Sequence, residues 1–111
     1  MKEGVNISIE IRRRAISHFC FVTDDESMKV WLSMTLQQKN AIVFIAGKMD
    51  SDGRVNMSGK NKDDMMSVLK IKRGRFYQLL RQLTKLSVIS KDGGGDYLVN
   101  NRMFFKEKNK D

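Results

Sequence analysis

The chain has 111 residues, of which 41% are hydrophobic and 31% charged, and it contains one cysteine and one histidine. This is the size and composition of a single folded domain, and no apolar stretch approaches the roughly 18 residues of a membrane span. A disulfide within the chain and a zinc site built from cysteine and histidine are both excluded.

The net charge of +8 is confined to the second half of the chain. Residues 1–53 contain 7 Lys and Arg against 7 Asp and Glu, whereas residues 54–111 contain 14 against 6. A one-sided basic field favours an anionic partner, and nucleic acid is the commonest one. Because "MKEGVNISIE" lacks the apolar run of a signal peptide, we expect a cytoplasmic protein without a membrane partner.

The first 34 residues predict a strand followed by a short helix. Val5, Ile7, Ile9 and Ile11 alternate with polar residues, which is typical of a strand with one buried face. The three arginines at 12–14 fit either a phosphate contact or a solvated turn, and the sequence does not decide between them.

The segments that follow continue this extension. "FCFV" at 19–22 indicates a short buried strand or the start of packing, with Cys20 as a buried thiol. "TDDES" at 23–27 offers capping side chains for a helix from Ser27 to Met34. This helix is expected to turn inward its apolar residues Met28, Trp31, Leu32 and Met34.

Residues 35–57 predict a helix, a turn and a strand. "TLQQKNAIVFIAGKM" has the length and apolar density of a largely buried helix. A turn at Asp52-Gly53 then leads into a short strand from Arg54 to Met57, and the oxygen-rich pattern of a calcium loop is missing here.

Two helices separated by the short break "KIK" follow. Ser58 is a capping residue for a helix over 59–69, with Met65, Met66 and Leu69 on its inner face. In the next helix the apolar side chains recur at intervals of three and four, so one stripe faces the core. This stripe consists of Phe76, Leu79, Leu80, Leu83 and Leu86. The opposite face contains Gly74, Gln78, Arg81 and Lys85 and no acid.

The chain ends in a predicted β-hairpin and a solvated tail. Extended apolar stretches at 87–90 and 97–99 flank the glycine-rich tip "DGGGD". Phe104 and Phe105 in "NNRMFFK" are expected to pack in the core rather than to stack on bases. The tip matches neither of the glycine-rich motifs that bind nucleotide phosphates, G-x-x-x-x-G-K-[ST] and G-x-G-x-x-G. Nucleotide binding is therefore not expected there.

This order of elements predicts an α+β fold, mainly α. We interpret it as a winged helix-turn-helix with a β-hairpin wing and an N-terminal strand and helix extension. The predicted division is an extension over residues 1–34, a winged-helix domain over 35–106 and a disordered tail over 107–111.

The stretch "MMSVLKIKRGRFYQLLRQLTKLSVISKDGGGDYLVN" resembles the helix-turn-helix and wing of bacterial winged-helix domains. The wider chain resembles RepL-like plasmid and phage replication initiators through "HFCFVTDD", "LQQKNAIVFIAGKM", "VNMSGKNKDDMMSVLKI" and "YLVNNRMFFKE". The chain departs from the usual pattern at Lys70 and Ser87, where glycine is usual. It also departs at Lys72, where Ser or Thr caps the third helix, and at Asn101, where proline is usual.

The resemblance implies sequence-specific binding of double-stranded DNA at a plasmid or phage origin, with host replication proteins as further partners and a location on nucleoid or plasmid DNA. A transcriptional repressor of the same fold and a protein-interaction module for an acidic partner are the alternatives. A homodimer is expected because one helix reads only a short half-site.

The candidate DNA-binding residues surround the start and the outer face of the helix that begins near Arg73. They are Lys60, Lys72, Arg73, Gly74, Arg75, Tyr77, Gln78, Arg81, Lys85 and Lys91. Cations at a helix N-terminus oppose the helix dipole, and docked phosphates would offset that cost. Arginine suits guanine and glutamine suits adenine, so Arg81 and Gln78 are expected to read bases. A solvated basic face, with Gly74 present by accident, is the competing interpretation.

Catalysis is not expected, and no cofactor or metal is expected either. A nicking enzyme needs paired histidines near a nucleophilic tyrosine, and His18 is the only histidine. A catalytic triad would also need a better-placed histidine.

Overall fold

The computed structural model describes residues 19–106, which form an α+β fold that is mainly helical. The elements in chain order are β1 (Cys20–Phe21), α1 (Asp25–Ser33), α2 (Leu36–Lys48), β2 (Arg54–Asn56), α3 (Gly59–Leu69), α4 (Arg73–Lys85), β3 (Ile89–Lys91), β4 (Asp96–Val99) and β5 (Phe104–Phe105). The prediction of a mainly helical α+β class is confirmed. The alternating strand at 5–11, the arginines at 12–14 and the tail at 107–111 lie outside the described residues.

Side-chain caps define the starts of the first two helices. The Asp24 carboxylate accepts a hydrogen bond from the Ser27 amide at 2.8 Å, so α1 begins two residues before the predicted start. At α2, Thr35 and Gln38 form a reciprocal capping box. Ser58 lies at the start of α3 as predicted, but its side chain makes no capping bond and contacts Asn56 instead.

Two expectations about apolar burial in these helices are wrong. Leu32 was expected to face inward and is 69% exposed. The helix α2 is buried along one face only, through Ala41, Ile42, Ile45 and Ala46, while Leu36 is 74% exposed. A dense apolar run on a helix necessarily points in all directions, and only one stripe reaches the core.

The strand β2 adds a third strand to the hairpin. The sheet order is β2-β4-β3, all antiparallel, with Val55 opposite Tyr97 and Tyr97 opposite Lys91. Gly53 precedes β2 with φ of 84°, and its carbonyl accepts a hydrogen bond from the Val99 amide at 2.8 Å. A side chain at this position would be strained and would come within 3.4 Å of the Val99 carbonyl.

The helices α3 and α4 both end at a residue in the left-handed conformation. Lys70 has φ of 57° and Ser87 has φ of 63°. The following amides, of Ile71 and Val88, return to carbonyls in the last helical turn at 3.0 and 3.2 Å. This arrangement is the Schellman motif, and it turns the chain from α3 into α4 and from α4 into β3.

The core lies between α2, α3, α4 and the inner face of the sheet. The predicted stripe of α4 is confirmed, because Phe76, Leu79, Leu80 and Leu83 are all buried and Leu86 is partly buried. The tight break between α3 and α4 is held by Ile71, which packs against the same core. The burial of this inner face therefore determines which residues of α4 face outward.

The N-terminal strand pairs with the end of the described chain. Cys20 lies opposite Phe105 and Phe21 opposite Phe104 in an antiparallel pair. The ring of Phe104 contacts both Phe19 and Phe21, with centroid distances of 5.8 and 5.1 Å. Phe104 is buried, so its predicted packing role is confirmed, whereas Phe105 is 39% exposed.

Candidate nucleic-acid interface

The helix α4 separates its charged and apolar side chains onto opposite faces. Its residues Arg73, Gly74, Gln78, Arg81 and Lys85 are exposed, opposite the buried stripe. Among residues 19–106, the ion pairs are Arg54 with Asp92 and Asp96, Lys60 with Asp64, and Arg102 with Glu26. None of these pairs includes a residue of α4, so the described acids leave the positive charge of this face unneutralised.

The first turn of α4 concentrates positive charge further. Lys72 occupies the N-cap position in an extended conformation, and its side chain makes no capping hydrogen bond. No acidic residue lies in the first turn, so the amides there have neither an acidic neighbour nor a capping side chain. The positive end of the helix dipole and the positive charges of Lys72 and Arg73 therefore lie at the same end of the helix.

Gly74 lies in this turn and faces open space. A Cβ atom built on it would meet no atom of the described chain within 4 Å. Packing within the described chain therefore does not require a glycine here, although glycine costs about 1 kcal/mol relative to alanine inside a helix.

A groove runs between α4 and the hairpin. It has a volume of about 390 Å³ and is lined by Tyr77, Leu80, Arg81, Thr84, Lys85, Lys91 and Tyr97. Four of the predicted residues, Tyr77, Arg81, Lys85 and Lys91, are brought together here, and no acid lines the groove. Cationic side chains around an apolar floor are suited to an anionic polymer such as a nucleic acid.

The two tyrosines of this groove differ in exposure. Tyr77 is 42% exposed, and the Lys62 amine lies 5.9 Å from its ring centroid. Tyr97 is buried, and burial first and the neighbouring Tyr77 second raise the pKa of its hydroxyl. Tyr97 is therefore a neutral hydrogen-bonding group at physiological pH.

The acids at the tip of the β3–β4 hairpin point toward β2. The Arg54 guanidinium contacts the carboxylate of Asp92 and lies 4.0 Å from that of Asp96. The Asn56 amide also donates to Asp96 at 2.7 Å. These contacts offset the negative charge of the tip.

Arg75 and Lys60 differ from the other candidates. The guanidinium of Arg75 turns toward α2, where its Nε donates to Gln37 Oε1 at 2.6 Å, and its Nη1 donates to Gln78 Oε1 at 2.7 Å. Lys60 is ion-paired with Asp64 at 3.1 Å on α3 and does not line the groove. It is Lys62, two residues later, that reaches α4.

Four residues of this surface were not singled out in the sequence: Gln37, Lys62, Thr84 and Tyr97. Gln37 contacts Arg75 from 38 positions away, and periodicity contains no information about such a pairing. The inward position of Tyr97 was accessible from strand alternation, because Tyr97 and Val99 occupy alternate positions in β4.

Residues 19–106 contain no group of three or more His, Cys, Asp or Glu side chains placed to hold a metal ion. Among the helices of the same residues, none is long and apolar enough to cross a membrane.

Comparison of the chain with protein-family models, with curated proteins and with solved structures gives no match.

Proposed function

We propose that this protein is a winged helix-turn-helix protein that binds double-stranded DNA in a sequence-specific manner, without catalysis. In this proposal α4 enters the major groove and the hairpin β3–β4 lies along the adjacent backbone. The order of the elements from α2 to β4 and the pairing of β2 with the hairpin are consistent with such a fold. The observation that carries the proposal is the acid-free outer face of α4, which continues into a cation-rimmed groove beside the hairpin.

The residues divide by the part of DNA that each would contact. Lys72, Arg73, Lys85 and Lys91 are proposed to contact phosphates, since lysine and arginine supply most backbone contacts. Tyr77, Gln78 and Arg81 are proposed to face base edges in the major groove. Gly74 would let the backbone of α4 approach the duplex closely.

The cellular role that we propose is initiation of plasmid or phage replication, in which a homodimer marks an origin and recruits host replication proteins. Its support is the resemblance of the quoted stretches to RepL-like initiators. Repression of transcription uses the same groove chemistry and is the alternative. Binding of an acidic protein partner through the same basic face is a third possibility.

Selection of bound duplexes from a random pool tests the proposal directly. The wild-type chain should enrich a defined sequence, and affinity for it should fall steeply as salt rises. Arg81→Ala should relax preference at one base pair, whereas Lys85→Ala should weaken binding to all sequences alike. Lys29→Ala, which removes an exposed lysine of α1, is the control and should leave affinity unchanged.

The outcomes separate the three roles. Unchanged affinity in both Arg81→Ala and Lys85→Ala at low salt would show that α4 is not the interface. No enrichment of any duplex, together with binding to an acidic protein, would favour the third possibility. Mapping an enriched sequence to an origin or to a promoter would distinguish initiation from repression.

A further inference from the structure

The side-chain amide of Gln78 is oriented by a hydrogen bond from a neighbouring arginine. Its oxygen accepts a hydrogen bond from Nη1 of Arg75 at 2.7 Å. Arg75 is in turn held from the other side, because its Nε donates to the Gln37 oxygen at 2.6 Å. Gln37 lies in the first turn of α2, so a second helix determines the orientation of a side chain on the outer face of α4.

This chain of hydrogen bonds changes what the surface offers to a partner. A free glutamine presents one acceptor and two donors, which together match the donor and acceptor edge of adenine. With its oxygen facing the guanidinium, Gln78 keeps one lone pair of that oxygen beside a positive charge, and its two N–H groups are left to direct outward. Arg75 uses two of its five N–H groups in these contacts and adds three further donors and a positive charge.

A surface in which donors predominate and a positive charge lies beside the remaining acceptor suits guanine and disfavours adenine. In the major groove guanine presents two acceptors, N7 and O6, whereas adenine presents one acceptor and an amino donor. The adenine amino group would meet the positive guanidinium and the N–H groups of Gln78. We propose that Gln37, acting through Arg75, sets the base preference of Gln78, so that this corner of the interface selects guanine over adenine. This inference rests on the proposed DNA-binding function and replaces the adenine expected for Gln78 from residue type alone.

The variant Gln37→Leu tests the inference, because it removes the acceptor for Arg75 and leaves α4 unchanged. The base pair read by Gln78 is first identified as the one at which Gln78→Ala loses discrimination in duplex selection. At that pair the wild type should prefer guanine. In Gln37→Leu the ratio of affinities for guanine and adenine should fall by about tenfold, which is within the range that one good pair of hydrogen bonds supplies.

Two further variants separate positioning from a general structural effect. Gln37→Glu keeps an acceptor for Arg75 and should retain the guanine preference. Gln82→Leu makes the same chemical change on α4, where Gln82 accepts a hydrogen bond from Gln38 at 2.9 Å, and it should leave the ratio unchanged. Circular dichroism confirms that each variant folds before its ratio is interpreted.

The results distinguish this inference from the proposed function. A wild type that prefers adenine at the identified pair overturns the inference, as does an unchanged ratio in Gln37→Leu while DNA binding persists. A wild type that binds no duplex at low salt overturns the proposed function and the inference with it. A reduced ratio in Gln37→Leu, restored in Gln37→Glu, supports both.

Discussion

Lys70 and Ser87 adopt the left-handed backbone conformation that favours glycine. Glycine is the usual residue at both positions in the bacterial winged-helix domains that this stretch of sequence resembles, and the structure shows why a glycine would suit them. For a residue with a Cβ atom this conformation costs roughly 1–2 kcal/mol. The chain tolerates that cost twice because each Schellman motif satisfies the carbonyl groups at the end of a helix.

Ser87→Gly should therefore stabilise the protein. We expect the free energy of unfolding to rise by roughly 0.5–1 kcal/mol, because the backbone strain is relieved while the unfolded chain gains some freedom. Urea denaturation followed by circular dichroism measures this change. The matched variant Ser67→Gly, within α3 and exposed, should instead lower stability by about 0.5 kcal/mol. Equal changes of the same sign in both variants would contradict the left-handed conformation of Ser87.

Gly74 allows a second test at the residue scale. Gly74→Ala should raise the free energy of unfolding by about 0.5–1 kcal/mol, since its Cβ would enter open space in a helix. If the backbone approaches DNA here, affinity should fall by about threefold or more, which corresponds to roughly 0.7 kcal/mol. Gly47→Ala, in α2 with equally open surroundings, should stabilise without changing affinity. Unchanged affinity in both variants would leave Gly74 as an ordinary exposed glycine.

At the scale of elements, α4 combines a structural face and a proposed binding face. Its inner stripe is buried against α2, α3 and the sheet, while its outer face contains no acid. The hairpin is organised in a similar way, since the tip acids face Arg54 and Lys91 faces the groove. Stability and binding are therefore expected to depend on different residues of the same elements.

Leu79→Ala should destabilise the protein strongly. Leu79 is fully buried, and removing a buried leucine side chain costs about 2–5 kcal/mol through lost burial and the cavity that remains. Thermal unfolding should show a clearly lower Tm. Val68→Ala in α3 removes a side chain that is 63% exposed and should change stability by no more than about 0.5 kcal/mol. A small effect of Leu79→Ala would mean that the inner face of α4 is not part of the core.

At the scale of the whole molecule, the distribution of charge determines how binding depends on salt. The second half of the chain contains the entire positive excess, and the described part of it presents several of these cations on one surface formed by α4 and the hairpin. A duplex bound there would release counterions from each phosphate that is contacted.

The salt dependence of binding follows from this arrangement. If Lys72, Arg73, Lys85 and Lys91 each neutralise one phosphate, the slope of log affinity against log salt should be roughly −3.6 per protomer, and a dimer doubles it. Lys85→Ala should make the slope less steep by about 0.9. Fluorescence anisotropy at a series of salt concentrations provides the measurement. A slope near zero is incompatible with contacts to the DNA backbone by these residues.

Features that depend on neighbouring residues could be predicted from the sequence alone. Periodicity identified the buried stripe of α4 and its basic outer face, and the glycine-rich tip "DGGGD" between two apolar stretches identified the hairpin. Local preferences and the alternation of apolar residues are sufficient for such features, because the interacting positions lie within one or two helical turns or across one tight turn.

Contacts between distant residues are set by tertiary packing and could not be predicted from the sequence. The addition of β2 to the hairpin, the contact of Arg54 with the acids of the hairpin tip and the path from Gln37 through Arg75 to Gln78 all join residues about 40 positions apart. The exposure of Leu32 and Leu36 was decided in the same way, because an apolar side chain is buried only where another element covers it. Local pattern specifies the faces of each element, whereas packing specifies what those faces contact.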